Sequence, residues 1–195
     1  MRTNRIEAFS DGVLAILITI MVLELKAPEA ATFHGLGAVA TSLLTYLLSF
    51  VYIGIYWNNH HHFFHLVRRI DGVVLWANLH LLFWLSLIPF TTAWMDSTEF
   101  ATVPVVVYGI DLLLCAVAWY VMQTTVLRAE GSESAVRGML GRDLKGKLSP
   151  ALYLAGIGLS WVTPWLGLAI YTAVAVLWLV PDRRVERAIV LSDEG

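Results

Sequence analysis

Charged residues are scarce in this sequence, and so is cysteine. Only 14% of the 195 residues are Asp, Glu, Lys or Arg, whereas 58% are hydrophobic, and the mean hydropathy is +0.70. Soluble domains carry about 25% charged residues, so the composition excludes that class and indicates an integral membrane protein. The lone cysteine, Cys115, excludes an internal disulfide. A net charge of -2 leaves no excess of basic charge to attract nucleic acid, so we expect no such partner.

Long apolar runs take the place of the missing charge. A run of about 20 apolar residues is long enough to cross a bilayer as a helix, and four such runs occur before residue 130. A further apolar stretch, 148–180, is too long for one upright span. Ser149-Pro150 and Thr163-Pro164 each pair a capping hydroxyl with a proline suited to the first helical turn, so each predicts the start of a helix. The sequence therefore predicts an all-α integral membrane protein, one unit over residues 1–195. Its six predicted transmembrane helices span about 6–26, 36–64, 72–94, 103–127, 149–163 and 164–181.

The basic residues indicate how these helices are oriented. Of the 13 Lys and Arg residues, every one except Lys26 falls on the same side of the six-span map. Basic residues collect in cytoplasmic loops, so we expect both termini in the cytoplasm of a multi-pass protein of the cell membrane. The first apolar segment has arginines before it but no clean cleavage site after it, so we interpret it as a retained helix and not as a signal peptide.

One stripe of the first helix is continuous. Ile16, Thr19, Ile20 and Leu23 are spaced i, i+3, i+4 and i+7, which places them on the same face. Thr19 carries the only hydroxyl group of the stripe. Stripes of Ile and Leu in membrane helices commonly pack against neighbouring helices, so the spacing alone leaves packing and pore lining as alternatives.

The beginning of the same helix carries a more specific motif. In "RIEAFSDGVLAI", an Arg precedes Phe-Ser-Asp at the cytoplasmic start of a first span, and "YWNNHH" follows in the second span. This pattern resembles the prokaryotic form of the endolysosomal potassium channel family called transmembrane protein 175. The resemblance implies a homotetramer whose pore is lined by the first helix of each subunit and narrowed by bulky apolar side chains. It further implies permeation of monovalent cations, with potassium preferred over sodium, and no cofactor.

The resemblance favours pore lining for the stripe. Four copies around one axis would form stacked rings of Ile16, Thr19, Ile20 and Leu23. A tight ring of isoleucines excludes water and closes the path, and slight widening admits a weakly hydrated cation. Glu24, at the outer end of the helix, is expected at the pore mouth, where its charge concentrates cations.

Polar residues at the cytoplasmic end of the first helix need another explanation. Asp11 is turned away from the stripe, and a carboxylate near the bilayer is costly unless it meets a partner. The second helix runs inward and reaches the same level, so we hypothesise a polar network that anchors the pore helix. The alternative is a set of separate, solvated interfacial charges. The predicted members of the network are Arg5, Ser10, Asp11, Trp57, Asn58 and either His60 or His61.

Other chemistry receives less support from the sequence. His61 and His65 have a metal-ligand spacing but no further ligand, and His60 or His61 lies at a different depth from His80, which disfavours a haem between them. We therefore predict neither metal nor cofactor. Asp111, in the fourth span, favours the main alternative function, a small proton- or sodium-coupled secondary transporter, although a hydrogen bond to a Tyr or Trp is the expected role. No phosphate loop, nucleophile elbow or metalloprotease motif is present, so we do not predict an enzyme.

Overall fold

The computed structural model describes residues 3–131 and 144–179, and all regular secondary structure in these residues is helical. This confirms the prediction of an all-α protein. The described residues form eight helices: α1 (Thr3–Leu23), α2 (Phe33–Ala38), α3 (Ala40–His65), α4 (Gly72–Leu85), α5 (Ile88–Ser97), α6 (Thr102–Glu130), α7 (Leu144–Ser160) and α8 (Pro164–Leu179).

Four segments of the described chain are long and apolar enough to cross a membrane. They are α1, α3, α6 and the segment Gly72–Ser97, which contains α4 and α5. Helices α7 and α8 occupy the region of the fifth and sixth predicted spans but have only 17 and 16 residues. Both are shorter than the run of about 20 residues that an upright span requires. The last two residues of the predicted sixth span lie outside the described residues.

The third predicted span is interrupted near its middle. Helix α4 ends at Leu85, and α5 begins at Ile88 with Pro89 in its first turn. Proline has no N–H to continue the helical ladder, so Pro89 cannot bond to the carbonyl of Leu85. The hydroxyl of Ser86 donates to the carbonyl of Phe83 at 2.6 Å and so satisfies one carbonyl at the end of α4.

The predicted start of a helix at Ser149-Pro150 is wrong. Helix α7 is already formed at Leu144 and carries Pro150 in its interior. The Ser149 hydroxyl does not cap a helix start, because it donates to the carbonyl of Lys145 at 2.8 Å, one turn earlier. Membrane helices tolerate an interior proline when side chains and neighbouring helices satisfy the freed backbone groups. Helix α8, by contrast, begins at Pro164.

Helix α6 lies at the centre of the packing. It contacts α4, α5, α7 and α8, whereas α1 packs against α3, α4 and α5, and α3 also contacts α5 and α8. The face of α1 that packs against its own subunit repeats every three or four residues, as an amphipathic helix requires. Its buried members are Ile6, Ser10, Leu14, Leu17 and Met21.

Glycines allow α6, α7 and α8 to approach closely around Tyr171. A Cβ added at Gly109 or Gly156 would collide with the Tyr171 ring, so only glycine fits at these positions. The Tyr171 side chain is fully buried, and its carbonyl accepts a hydrogen bond from the Tyr52 hydroxyl of α3 at 2.5 Å. Tyr171 of α8 thereby connects its own helix to α3, α6 and α7. These contacts do not involve α1.

A polar contact holds the loop between α3 and α4 to the end of α6. The Glu130 carboxylate accepts hydrogen bonds from the backbone N–H groups of Arg68 and Arg69, the latter at 3.4 Å. Asp71 then caps α4 by accepting from the N–H of Val74 at 2.8 Å. These contacts fix the end of α3 that lies beside the beginning of α1, where Thr3 donates to the carbonyl of Val67 at 3.2 Å.

Candidate functional site

The predicted stripe of α1 faces away from the rest of its own chain. Ile16 is 58% exposed, Ile20 41% and Leu23 82%, and Thr19 is exposed with them. Phe9 is 54% exposed and lies seven residues before Ile16, which is about two helical turns and therefore the same face. Large apolar side chains in such a patch require lipid or another protein chain as their neighbour.

The hydroxyl of Thr19 bonds to its own helix. Its Oγ1 donates to the carbonyl of Ile16 at 2.8 Å. A hydroxyl has one proton and two lone pairs, so donation to the backbone leaves the oxygen lone pairs unused on the exposed face. This orientation makes Thr19 an acceptor that can coordinate a cation.

A buried polar chain connects α1, α3 and α4. Asn78 Nδ2 donates to Ser10 Oγ at 3.1 Å, and Asn78 Oδ1 lies 2.8 Å from His60 Nε2. An amide oxygen only accepts, so His60 Nε2 carries the proton of this bond. All three residues are at most 2% exposed. Within the described residues His60 Nδ1 has no partner.

A second polar contact connects α1 and α3 at the surface. Trp57 Nε1 donates to Asp11 Oδ1 at 3.0 Å. The His61 ring lies nearly parallel to the Trp57 indole, with 19° between the planes and 6.3 Å between the ring centroids. Unlike the chain through Asn78, this contact is open to solvent or lipid, since Trp57 is 47% exposed.

The predicted network is therefore divided between two separate groups. Ser10 and His60 belong to the buried chain, and Asp11, Trp57 and His61 to the exposed contact. Arg5 and Asn58 are exposed, and in the described part of the chain neither forms a hydrogen bond to the other members.

Asn78 joins the buried chain but was missed from the sequence. The signal was present: Asn78 is an amide within the apolar run "VVLWANLHLLFWL", and a buried amide in a membrane helix needs a hydrogen-bonding partner. Its partners are distant in sequence, so they were not identifiable from spacing.

The expected partner of Asp111 is wrong. Asp111 is buried, at 4% exposed, but its Oδ2 accepts from the Thr91 hydroxyl of α5 at 3.1 Å and not from a Tyr or Trp. The nearby tyrosine of α6, Tyr108, instead lies 3.1 Å from the Ser49 hydroxyl. Asp111 Oδ1 has no hydrogen-bonding partner among the described residues.

Glu24 lies just beyond the end of α1 and is exposed. With Lys26 and Asp96 it lines a cavity of about 620 Å³ between the ends of α1, α3 and α5. Both signs of charge are present along this cavity. Of its carboxylates, Glu24 directly follows Leu23, the most exposed residue of the stripe.

Two of the histidines use a ring nitrogen in a hydrogen bond to a neighbouring side chain. His60 Nε2 is used by Asn78, and His80 Nε2 accepts from Trp84 Nε1 at 2.9 Å. His61 and His65 lie beside each other with ring centroids 6.5 Å apart. In residues 3–131 and 144–179, no three His, Cys, Asp or Glu side chains are grouped so as to hold a metal ion.

Known proteins resemble the chain over nearly its whole length. A family model described as the endosomal/lysosomal potassium channel TMEM175 matches residues 5–89, which include most of α1 and all of α2, α3 and α4. A potassium channel of a Chryseobacterium species is 46% identical over 189 residues, or 97% of this chain and 98% of that protein. A potassium channel of Streptomyces collinus is 33% identical over 190 residues, or 90% of this chain and 91% of that protein.

A solved structure has the same fold. The crystal structure of a lysosomal potassium-selective channel TMEM175 homologue from Chamaesiphon minutus superposes with a TM-score of 0.75 at 32% sequence identity. The match covers 91% of this chain and 96% of that one. The likeness therefore extends well beyond residues 5–89.

Proposed function

This chain belongs to the TMEM175 family of potassium channels, and on that premise we propose that it is a potassium channel whose pore is formed by helix α1. The proposed unit is a homotetramer in the cell membrane. Each subunit contributes six transmembrane helices, with α7 and α8 as the fifth and sixth, and both termini lie in the cytoplasm. The basic residues, all but Lys26 on one side of the predicted topology, support this orientation.

The observation that carries the proposal is the exposed stripe of α1. Its members, Ile16, Thr19, Ile20 and Leu23, are turned away from their own subunit, whereas the residues of the packed face of α1 are buried. Brought to a common axis, the stripe forms rings of isoleucine and leucine with a hydroxyl ring at Thr19. Apolar rings gate conduction by excluding water when narrow. The free lone pairs of Thr19 offer oxygen ligands to a potassium ion that loses part of its hydration shell.

The polar contacts of α1 are proposed to hold the pore helix in register. The Asn78 amide fixes Ser10 from the side of α4, and the Trp57 indole fixes Asp11 from the side of α3. Two directional contacts within two consecutive residues limit both rotation and sliding of α1. Such rigidity matters because a ring of four side chains changes diameter when each helix rotates slightly.

Permeation is proposed to favour potassium over sodium. Potassium is the more weakly hydrated of the two ions, and an apolar constriction selects against the ion that loses water less readily. Glu24, at the end of α1 beyond Leu23, is proposed to edge the pore mouth and to raise the local concentration of cations.

The reversal potential tests the proposal. Purified protein is placed in a planar bilayer with potassium on one side and sodium on the other, and wild type is compared with Ile16→Asn. We expect a wild-type reversal potential that favours potassium, and altered conductance or selectivity in the variant. Ile110→Asn is the matched control, because Ile110 is an exposed isoleucine of α6 and the same chemical change there is away from the proposed pore.

Coupled transport through Asp111 is the second candidate function. It is favoured by one observation, the buried Oδ1 that lacks a partner among the described residues, since such an oxygen can bind a proton or a sodium ion. Two results together would favour this alternative over a channel. The folded tetramer would carry no current, and uptake would be saturable and dependent on protons or sodium.

A further inference from the structure

A cavity of about 210 Å³ lies between α3, α6, α7 and α8, away from the stripe of α1. Aromatic rings form much of its wall, among them Tyr56 of α3, Trp119 of α6 and Trp178 of α8. The helices around it pack on one another, whereas α1 packs on α3, α4 and α5. The cavity is thus separate from the proposed ion path.

Gln123 contributes its side-chain amide to the wall of this cavity. Its side chain belongs to a residue only 8% exposed, and it forms no hydrogen bond within the described residues. Polar Asn59, half-buried on α3, lines the same cavity. A ligand with oxygen atoms would satisfy the amide of Gln123.

The charge around the cavity indicates an anion. Lys147 of α7 lines its edge and is exposed, and no Asp or Glu is among the described residues that line it. The Ser149 hydroxyl is already occupied, because it donates to the Lys145 carbonyl and accepts from Trp178 Nε1, each at 2.8 Å. The ammonium group of Lys147 and the amide of Gln123 are therefore two groups that can contact a ligand, beside the amide of Asn59.

The position of the cavity points to a lipid. Lys147 belongs to the set of basic residues that the sequence places on the cytoplasmic side, so the edge of the cavity lies at the inner membrane surface. Tyr120, another lining residue, is 64% exposed, so the cavity reaches the outer surface of the helices. Basic pockets between membrane helices on this side bind lipid headgroups, and aromatic rings suit the boundary between headgroup and acyl chains.

We propose that this cavity binds the headgroup of an anionic phospholipid from the cytoplasmic leaflet. The phosphate lies beside the Lys147 ammonium group, and an oxygen of the headgroup or glycerol accepts from the Gln123 amide. The acyl chains leave along Tyr120. Lipid binding does not depend on ion conduction. The lipid proposal and the channel proposal can therefore fail independently of each other.

Native mass spectrometry of the purified full-length protein measures the binding. Detergent-solubilised protein is titrated with phosphatidylglycerol and, separately, with phosphatidylcholine of the same acyl chains. We expect phosphatidylglycerol to bind more tightly to wild type, and Lys147→Gln to weaken that binding about tenfold, as expected for loss of a charge-assisted hydrogen bond. Gln123→Leu should weaken binding less, because a neutral hydrogen bond is lost.

Arg128→Gln is the matched control. Arg128 is an exposed cation near the same end of α6 and does not line the cavity, so it tests general attraction between basic residues and anionic lipid. We expect it to bind phosphatidylglycerol as wild type does. Equal loss in Arg128→Gln and Lys147→Gln would overturn the proposal, and so would equal affinity for the two lipids.

Soluble anions distinguish the source of the phosphate. Inorganic phosphate and glycerol 3-phosphate are added in excess to protein loaded with phosphatidylglycerol. Retention of the lipid supports a membrane ligand, since neither anion carries acyl chains to pack on the aromatic wall. Displacement of the lipid by either anion at comparable concentration would overturn the proposal of a lipid ligand. The cavity would then be assigned to a soluble phosphate. Circular dichroism and size-exclusion chromatography of each variant establish that it is folded.

Discussion

Asp11 of α1 accepts a hydrogen bond from the indole Nε1 of Trp57 on α3 at 3.0 Å, in the first half of the proposed pore helix. One residue earlier and about 100° around the helix, Ser10 belongs to the buried chain with Asn78 and His60. Adjacent residues thus secure α1 to two different helices. The ionisable residue in the apolar run is explained by this contact, which gives the Asp11 carboxylate a donor.

The Asp11–Trp57 contact can be tested by a double-mutant cycle. Trp57→Phe removes the donor but keeps an aromatic ring, and Asp11→Ala removes the acceptor. We expect a coupling energy of about 0.5 to 1.5 kcal/mol between them in the thermal stability of the tetramer, because a charged acceptor strengthens the bond while its exposure weakens it. Glu7→Ala is the control for loss of a carboxylate on the same helix. If the effects of the two substitutions are strictly additive, the Asp11–Trp57 contact does not anchor α1.

Asn78 should matter more for stability than the exposed Asn58. Asn78→Leu deletes the amide that serves both Ser10 and His60 and leaves their polar atoms buried without it. We expect a loss of about 1 to 3 kcal/mol in unfolding free energy, measured by denaturant titration in detergent. Asn58→Leu, at an exposed position, is expected to change stability by less than about 0.5 kcal/mol. Equal effects of the two substitutions would contradict the structural role of the buried chain.

Substitutions of Thr19 test whether its hydroxyl acts in permeation or in folding. Thr19→Val keeps the shape and loses only the hydroxyl, whose sole hydrogen bond among the described residues is to its own helix. We expect unchanged thermal stability, and potassium conductance about fivefold lower if the oxygen contributes about 1 kcal/mol to the ion in transit. Thr19→Ser, which retains the oxygen, should conduct as wild type does. Wild-type conductance in Thr19→Val would remove this hydroxyl from the ion path.

Two glycines of α7 offer a paired test of the packing around Tyr171. A Cβ at Gly156 meets the Tyr171 ring, whereas nothing lies within 4 Å of a Cβ at Gly158. We expect Gly156→Ala to lower the unfolding free energy by about 1 to 3 kcal/mol through overpacking. Gly158→Ala should be neutral or slightly stabilising, because alanine favours the helix. A stable Gly156→Ala protein would mean that Tyr171 moves aside without cost.

The sequence predicted the long helices well because their signal is local. A run of apolar residues indicates a membrane helix whatever its neighbours are, and α1, α3 and α6 correspond to such runs. The exposed position of Ile16 and Leu23 agrees with a stripe that is defined by spacing alone. The interruption between α4 and α5 has its local cause in Pro89, which the apolar run concealed.

The parts that were missed depend on contacts between distant residues. Asn78 meets Ser10 across 68 positions of sequence, and no spacing rule connects them. Asp111 bonds to Thr91 because α5 is packed against α6, and this arrangement results from the fold as a whole. Pro150 was interpreted as a helix start because proline favours that position, but packing of α7 against α6 and α8 overrides the preference.

Asp111→Asn distinguishes a structural role of this buried carboxylate from a role in transport. Asparagine retains an oxygen that accepts from the Thr91 hydroxyl, so the contact between α5 and α6 is preserved while the ionisable group is removed. For a channel whose pore is lined by α1, we expect the potassium current and reversal potential of wild type in planar bilayers. Thr91→Val is the comparison variant: it removes the same hydrogen bond from the other side and leaves the Asp111 carboxylate buried without it, so we expect it to lower stability. Loss of potassium flux in Asp111→Asn with normal tetramer stability would place the carboxylate in the transport path, because only its ability to carry a proton or a cation would have changed.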